Sequence, residues 1–347
     1  MAAERGKQSD CANRSYLKTL AELKLRWMEA EQLEDEDVQP IQEEFQALAL
    51  DISDFKCPET GSTASLHIQR TVTSWRDRDV WIEWTKTYPS DDPFEETVTD
   101  REERIALLAR LLCKESPCAF RVLRCLGYVK SIDVHNNVAF GIVFTLPPHA
   151  GTKPKVLSLR QLMEKNGPPP ILAKLSLSTA LAHSLSSFHS VDWVHKGLNS
   201  NNIIFFENEH GAIDLSLPYI TGFSISRPSD RADMTEAPTC DPHLDIYRYP
   251  NAQFGEAKTV FRKSYDMYSL GVVFTEIAVW KPIEATLGID DVMRMTRDEL
   301  RDVYKRLLKL AADEGCSSEM KPNCNDEKRR EPTDLASIVF VAPGIER

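Results

Sequence analysis

His195-Lys196-Gly197-Leu198-Asn199-Ser200-Asn201-Asn202-Ile203-Ile204-Phe205 is the stretch on which the reading of this chain turns. It follows a long amphipathic segment, Ile171 to His189, in which Leu172, Leu175, Leu185 and Phe188 share a helical stripe. It runs into the apolar Ile203-Ile204-Phe205, which opens a short β-rich segment. Gly197 has no side chain that could accept a proton, Asn199 carries no charge, and Asn202 offers a neutral amide oxygen.

The bulk numbers set bounds. The chain has 347 residues, enough for a sizeable core or two lobes. Its 42% hydrophobic and 27% charged residues are ordinary for a globular protein. A net charge of −11 argues against a general binder of nucleic acid or anionic membranes. No apolar run is long enough to span a bilayer, and the polar start Met1 to Asp10 lacks the apolar core of a secretory signal. The 8 cysteines include no Cys-x-x-Cys pair, which argues against zinc and against a disulfide framework. Free thiols fit a reducing compartment, so an intracellular, cytoplasmic protein is expected.

In chain order, Tyr16 to Ile52 reads as two helices, with Leu17, Leu20, Leu23 and Trp27 on one face of the first. Ile41, Phe45, Leu48 and Ile52 share a face of the second, which starts at Pro40 after the acidic run Glu31 to Asp37. From Asp54 the pattern changes to strands over Leu66 to Thr73 and Val80 to Tyr88. Thr99 to Glu102 is a capping box that opens a helix through Leu112, with Ile105, Leu108 and Leu112 on one face. Phe120 to Val129 and Val138 to Phe144 read as two further strands. Ser158 caps a short helix, Leu159 to Lys165, ahead of the long helix and the loop. Ile203 to Phe206 and Tyr219 to Phe223 make a hairpin, and Ser224 to Tyr249 is a polar, proline-punctuated segment. Asp266 to Trp280 is apolar almost all round and so a buried helix, and Arg297 to Ala312 is an amphipathic one.

Four pieces in one order carry a resemblance to protein kinases. His195 to Phe205 resembles the catalytic loop His-Arg-Asp-Leu-Lys-x-x-Asn-Ile-Leu. Ile220-Thr-Gly222-Phe223-Ser224 stands where kinases have Asp-Phe-Gly, and Tyr247-Arg-Tyr-Pro250-Asn251 is similar to the close of an activation segment. Asp266-Met-Tyr-Ser-Leu-Gly271 is similar to the start of the central kinase helix. The likeness covers Asp54 to Ala312. It implies an α+β, two-lobed protein-kinase-like fold: a helical hairpin at 1–53, a small β-rich lobe at 54–146 and a larger helical lobe at 147–347. Leu25-Arg-Trp27 resembles the end of the helical domain that precedes kinase-like domains in fungal HeLo-type incompatibility proteins, a generic amphipathic hairpin being the other reading of 1–53. Val194 to Ile203 with Trp81-Ile-Glu-Trp84 is similar to kinase-like domains of fungal incompatibility and cell-death proteins.

The resemblance separates scaffold from chemistry. It implies that Asp266 holds the loop backbone, that His195 and Phe223 stack in a buried spine with Leu108, and that Gly271 is structural. The chemical positions are degenerate: Gly197 replaces the catalytic Asp, Asn199 the Lys, Gly222 the metal-binding Asp, Ser224 the Gly and Asn251 the Glu. Phosphoryl transfer needs Mg²⁺ on the phosphates and a carboxylate on the attacking hydroxyl. Loss of general-base help alone costs ~10²–10⁴ in rate, and Asn202 as one neutral ligand makes a poor Mg²⁺ site. Kinases cover the phosphates with a glycine-rich loop, and Thr60-Gly61-Ser-Thr-Ala-Ser65 keeps a single glycine. Lys86 would be the strand lysine and Glu103 its partner, with Glu102 as the alternative, or Lys86 and Glu103 form a plain surface pair.

The expected function is that of a pseudokinase: a catalytically inactive or strongly impaired kinase-like scaffold for signalling, binding protein partners and not nucleic acid. It would need no metal and no cofactor, with ATP bound, if at all, without efficient turnover. Two alternatives stand beside it. One is a divergent ATP-dependent phosphotransferase, with Asp241 or Asp245 as a displaced metal ligand. The other is a helix-driven assembly module regulated by the kinase-like part. Ser229, Thr235 and Thr239 are candidate phosphorylation positions in the polar segment.

Overall fold

Strand parity decides the first layer. Within Arg78–Lys86, Val80 and Ile82 are buried in one apolar cluster, while Trp81 belongs to another and Glu83 is buried beside it. Alternate side chains of a strand point to opposite faces, so both faces of this strand are covered.

The computed structural model describes residues 47–56, 69–86, 98–113, 120–132, 138–223, 226–228, 241–253 and 261–316. In chain order its elements are β1 (Ala49–Leu50), β2 (Gln69–Trp75), β3 (Arg78–Lys86), α1 (Val98–Leu112), β4 (Cys125–Ile132) and β5 (Val138–Thr145). Then come β6 (Val156–Ser158), α2 (Leu159–Lys165), α3 (Ile171–Ser190), β7 (Trp193–Val194), β8 (Ile203–Phe206), β9 (Tyr219–Ile220) and β10 (Arg227–Pro228). The described chain ends with α4 (Pro242–Asp245), α5 (Lys263–Val279), α6 (Ile283–Thr286) and α7 (Arg297–Cys316). The architecture is α+β: a mixed sheet in the order β1-β4-β5-β3-β2, two small sheets (β6-β8-β9 and β10-β7) and several helices. Among the described residues no helix is long and apolar enough to cross a membrane.

The five-stranded sheet is antiparallel apart from β1, which joins β4 in parallel with Ala49 opposite Tyr128 and Leu50 opposite Val129. A glycine makes room for this. Gly127 has φ +147°, and a Cβ there would lie 2.3 Å from the Leu48 carbonyl oxygen. From β1 the chain crosses the sheet to its other edge, where Phe55 bridges Trp75 and the Lys56 N–H donates to the Ser74 carbonyl at 2.9 Å. Phe55 is buried against Val80, Ile82, Val129 and Val143.

That strap corrects the helix expected through Ile52. Within 47–56 only 47–48 is helical; Ala49–Leu50 is strand and Ile52–Asp54 a single tight turn. The apolar period of this segment serves to cover a sheet face, so tertiary burial overrides the local pattern. Residues 1–46, with most of the expected helical hairpin, and the tail from 317 lie outside the described residues, as do Leu66, Ile68 and the single-glycine stretch at 60–65. One strand begins later than expected: Phe120 precedes β4 as a buried anchor, its carbonyl accepting from the Ser184 hydroxyl at 2.5 Å.

The helices complete the core. Ser158 caps α2 through a reciprocal capping box with Gln161. In α3 the buried face runs through Leu177, Leu181, Ser184, Leu185 and Phe188. Leu172, placed on the expected stripe, is 75% exposed. A leucine count misses this face because Ser184 belongs to it. Helix α5 is buried at Tyr265, Asp266, Ser269, Leu270, Val272, Val273, Glu276 and Ile277, which fits its apolar sequence. Tyr268 on α5, Tyr304 on α7 and Tyr249 form one aromatic cluster, with Tyr249 stacked on Tyr265 at 4.8 Å.

Glu276 is the unusual member of this core. Its Oε1 accepts from the Tyr247 hydroxyl at 2.7 Å, from the Ile283 N–H at 2.9 Å and from the Ser200 hydroxyl at 3.3 Å. Its Oε2 is buried without a partner. Burial pushes the carboxyl from 4.5 up to about 8, so it is protonated at neutral pH. A group whose folded pKa exceeds its unfolded value loses stability as pH rises between the two. The melting temperature is therefore expected to fall as pH rises from about 4.5 through about 8. Glu276→Gln should flatten that slope. An unchanged slope in the variant, followed by circular dichroism melts across this range, would assign the pH dependence elsewhere.

Candidate functional site

The loop at 195–205 is held from behind by one carboxylate. Asp266, on α5 and fully buried, accepts from the backbone N–H of His195 at 2.7 Å and of Lys196 at 2.8 Å. The His195 ring faces the other way. Its Nε2 donates to the Thr221 carbonyl at 3.0 Å and its Nδ1 accepts from the Gly197 N–H at 3.3 Å. Burial lowers its pKa, which favours the neutral tautomer these contacts need. The ring lies 4.9 Å from Phe223, which continues through Phe188 to Phe120. Leu108 is buried in the same core cluster, and Gly271 lies within α5.

The front of the loop is a hydrogen-bonded polar network. The Asn199 Oδ1 accepts from the N–H groups of Asn201 and Asn202, capping the turn Ser200–Asn202. The Gly197 carbonyl accepts from both amides, Asn199 Nδ2 at 3.0 Å and Asn202 Nδ2 at 2.6 Å. Gly222 has φ +87°, and a Cβ there would lie 2.3 Å from Asn202 Nδ2. The site is thus closed to any side chain at 222 unless Asn202 moves.

Two residues that sequence reasoning missed complete the network. Glu83, on β3, accepts from the Gly222 N–H with both carboxylate oxygens, each at 3.0 Å. Arg70, on β2, donates from Nε to Glu83 at 3.1 Å. Its Nη1 reaches the Asn201 carbonyl at 2.5 Å, and its Nη2 reaches Asn202 Oδ1 at 2.5 Å and Thr221 Oγ1 at 2.9 Å. The ion pair is 17% exposed at Arg70 and 3% at Glu83. The available signal was Glu83 set between Trp81 and Trp84 in an otherwise apolar strand, with its parity opposite to Ile82.

The structure brings together His195, Gly197, Asn199, Asn202, Gly222, Phe223 and Asp266. Among the described β3 side chains Glu83 meets the loop; those of Lys86 and Glu103, the expected pair, lie outside the described residues. Glu102 pairs with Lys130 on β4 at 2.6 Å. Asp245 is buried against Arg248 at 2.8 Å, and Asp241 caps α4 through the His243 N–H. Ser224, Ser229, Thr235 and Thr239 lie outside the described residues. Among the described residues no group of three His, Cys, Asp or Glu side chains could hold a metal ion. Chemically, the described residues at the front of the loop offer acceptors around the Arg70 guanidinium.

Comparison with known proteins adds two findings. The family model for a domain of unknown function (DUF7580) matches residues 129–319, more than half of the chain. A probable serine/threonine-protein kinase of Dictyostelium discoideum is 24% identical over 185 residues, which is 53% of this chain and 10% of that protein. The match therefore spans about a tenth of the relative's length.

Removing either anchor should destabilise the loop. Asp266→Ala leaves two buried N–H donors unpaired, an expected loss of ~2–4 kcal/mol. Gly222→Ala forces a side chain into a left-handed backbone and against Asn202, an expected loss of ~1–3 kcal/mol. Urea unfolding measures both, and a wild-type midpoint for Asp266→Ala would exclude the loop contact as a stabilising one.

Proposed function

We propose, for a chain that belongs to the family of the domain of unknown function (DUF7580), a catalytically inactive protein-kinase-like scaffold that works by binding protein partners. On this reading residues 54–146 form a small lobe and 147–347 a large one, with 1–53 as a helical attachment. The strand order β4-β5-β3-β2, with α1 between β3 and β4 in sequence, supports the small lobe. The Asp266 contacts and the His195–Phe223 stack support the large one. The likeness to the Dictyostelium kinase supports the frame.

The observation that carries the inactivity is the Arg70 network. Mg²⁺ in kinases sits on carboxylate and amide oxygens and bridges phosphates. Here Glu83 is bound to a guanidinium and to the Gly222 N–H, the Asn202 oxygen is bound to the same guanidinium, and Gly222 supplies no carboxylate. The residues present do not fit a metal-bound nucleotide triphosphate. Signalling is the role this reading favours; neither cofactor nor metal is required.

A second reading, a divergent phosphotransferase, is favoured by the name of the Dictyostelium relative. Thermal melts with ATP, with and without Mg²⁺ or Mn²⁺, separate the two because a ligand of the folded state raises stability by mass action. The expected result is no metal-dependent shift and no phosphate transfer to a generic protein substrate. Turnover that disappears in Lys86→Ala would overturn the inactive reading.

A further inference from the structure

The groups around Arg70 form a set with one chemical meaning. Glu83 offers a carboxylate to the guanidinium. Asn202 presents Oδ1, and its orientation is fixed because Nδ2 donates to the Gly197 carbonyl. Thr221 gives its hydroxyl hydrogen to the Asn202 carbonyl at 3.1 Å, so Oγ1 turns lone pairs to Arg70. Asn201 adds a backbone carbonyl. All four groups accept, and the adjacent donor, the Gly222 N–H, is taken by Glu83. Phosphate requires donors, so this cleft is of the opposite polarity. A planar fork of five N–H donors matches it, whereas an ammonium cannot reach four spread acceptors at once.

We propose that this cleft is a guanidinium-binding site, filled in cis by Arg70, whose ligand in trans is an arginine side chain of a protein partner. The proposal rests on the non-catalytic reading of the cleft and names the partner chemistry for it. Two features favour exchange. Strand β2 is the end strand of the sheet: at the level of Arg70 it is laddered to β3, and the strap at Phe55 and Lys56 joins it only at its far end, at Thr73 to Trp75, so Arg70 can shift without disturbing β1, β4 or β5. The net charge of −11 draws basic partners by long-range attraction.

The test empties the site and refills it. Arg70→Ala protein is titrated at low millimolar concentration with methylguanidinium chloride, and separately with methylammonium chloride, N-acetylarginine amide, and ATP with Mg²⁺, reading melting temperature and heat of binding. Methylguanidinium and N-acetylarginine amide should raise the melting temperature of the variant and not of the wild type. Methylguanidinium should bind on the order of tenfold tighter than methylammonium, as bidentate charge-assisted pairing implies. Adding Glu83→Gln should abolish the effect. Arg70→Lys, which keeps the charge and loses the fork, is the second variant should Arg70→Ala not fold, and it should respond to methylguanidinium as well. No response to either guanidinium probe in both variants overturns the proposal while leaving the inactive reading in place. Stabilisation of the emptied site by ATP with Mg²⁺ and not by guanidinium also overturns it, and phosphate transfer by the wild type overturns the reading beneath it.

Discussion

Two oxygens of a fully buried carboxylate fix the backbone at His195 and Lys196, and the site depends on that geometry. Asp266 sits on the buried face of α5 and is itself fully buried, so the carboxylate has little freedom to move. A buried charge is tolerated only where hydrogen bonds compensate it, and the two N–H groups do so here. With the backbone fixed, His195 must turn its ring toward Thr221 and Phe223, and Gly197 must present its carbonyl to the amides of Asn199 and Asn202. The orientation of Asn202, and through it the seat of Arg70, follows from a contact made two layers deeper.

Much of this frame was legible in the sequence because it rests on local signals. The apolar run of α5, the Ser158 cap, the hairpin at β8 and β9 and the order of four short motifs each have a physical signature in a single stretch. The Arg70–Glu83 pair was not legible for the opposite reason. It joins residues 13 apart to a loop 131 and 132 residues further on, and nothing near Arg70 announces the acceptors it will meet. Strand parity held the clue. Glu83 shares the face of Trp81, and it is from that face that it reaches the Gly222 N–H. The strap at 49–56 escaped for a related reason: its apolar residues fit a helical period as well as they fit a sheet cover.

The polarity of the cleft ties these observations together. Gly197 and Gly222 bring no charged side chain to the loop; a carboxylate enters from the sheet as Glu83, and Arg70 answers it. The charges remain balanced within a partly buried volume, as low-dielectric surroundings demand. Glycine at 222 is what allows this balance, since its left-handed backbone and missing Cβ bring the N–H up to Glu83 and leave Asn202 its place.

The parallel docking of β1 has a consequence for how the protein is made. Ala49 and Leu50 leave the ribosome well before Tyr128 and Val129, about 80 residues later. At translation speeds of ~5–20 residues per second the strap waits several seconds, at least, for its partner strand. During that interval Leu50 has no β4 to pair with, whereas Phe55 can already meet Trp75 on β2. Pairing β1 with β4 is therefore a late, long-range event in folding.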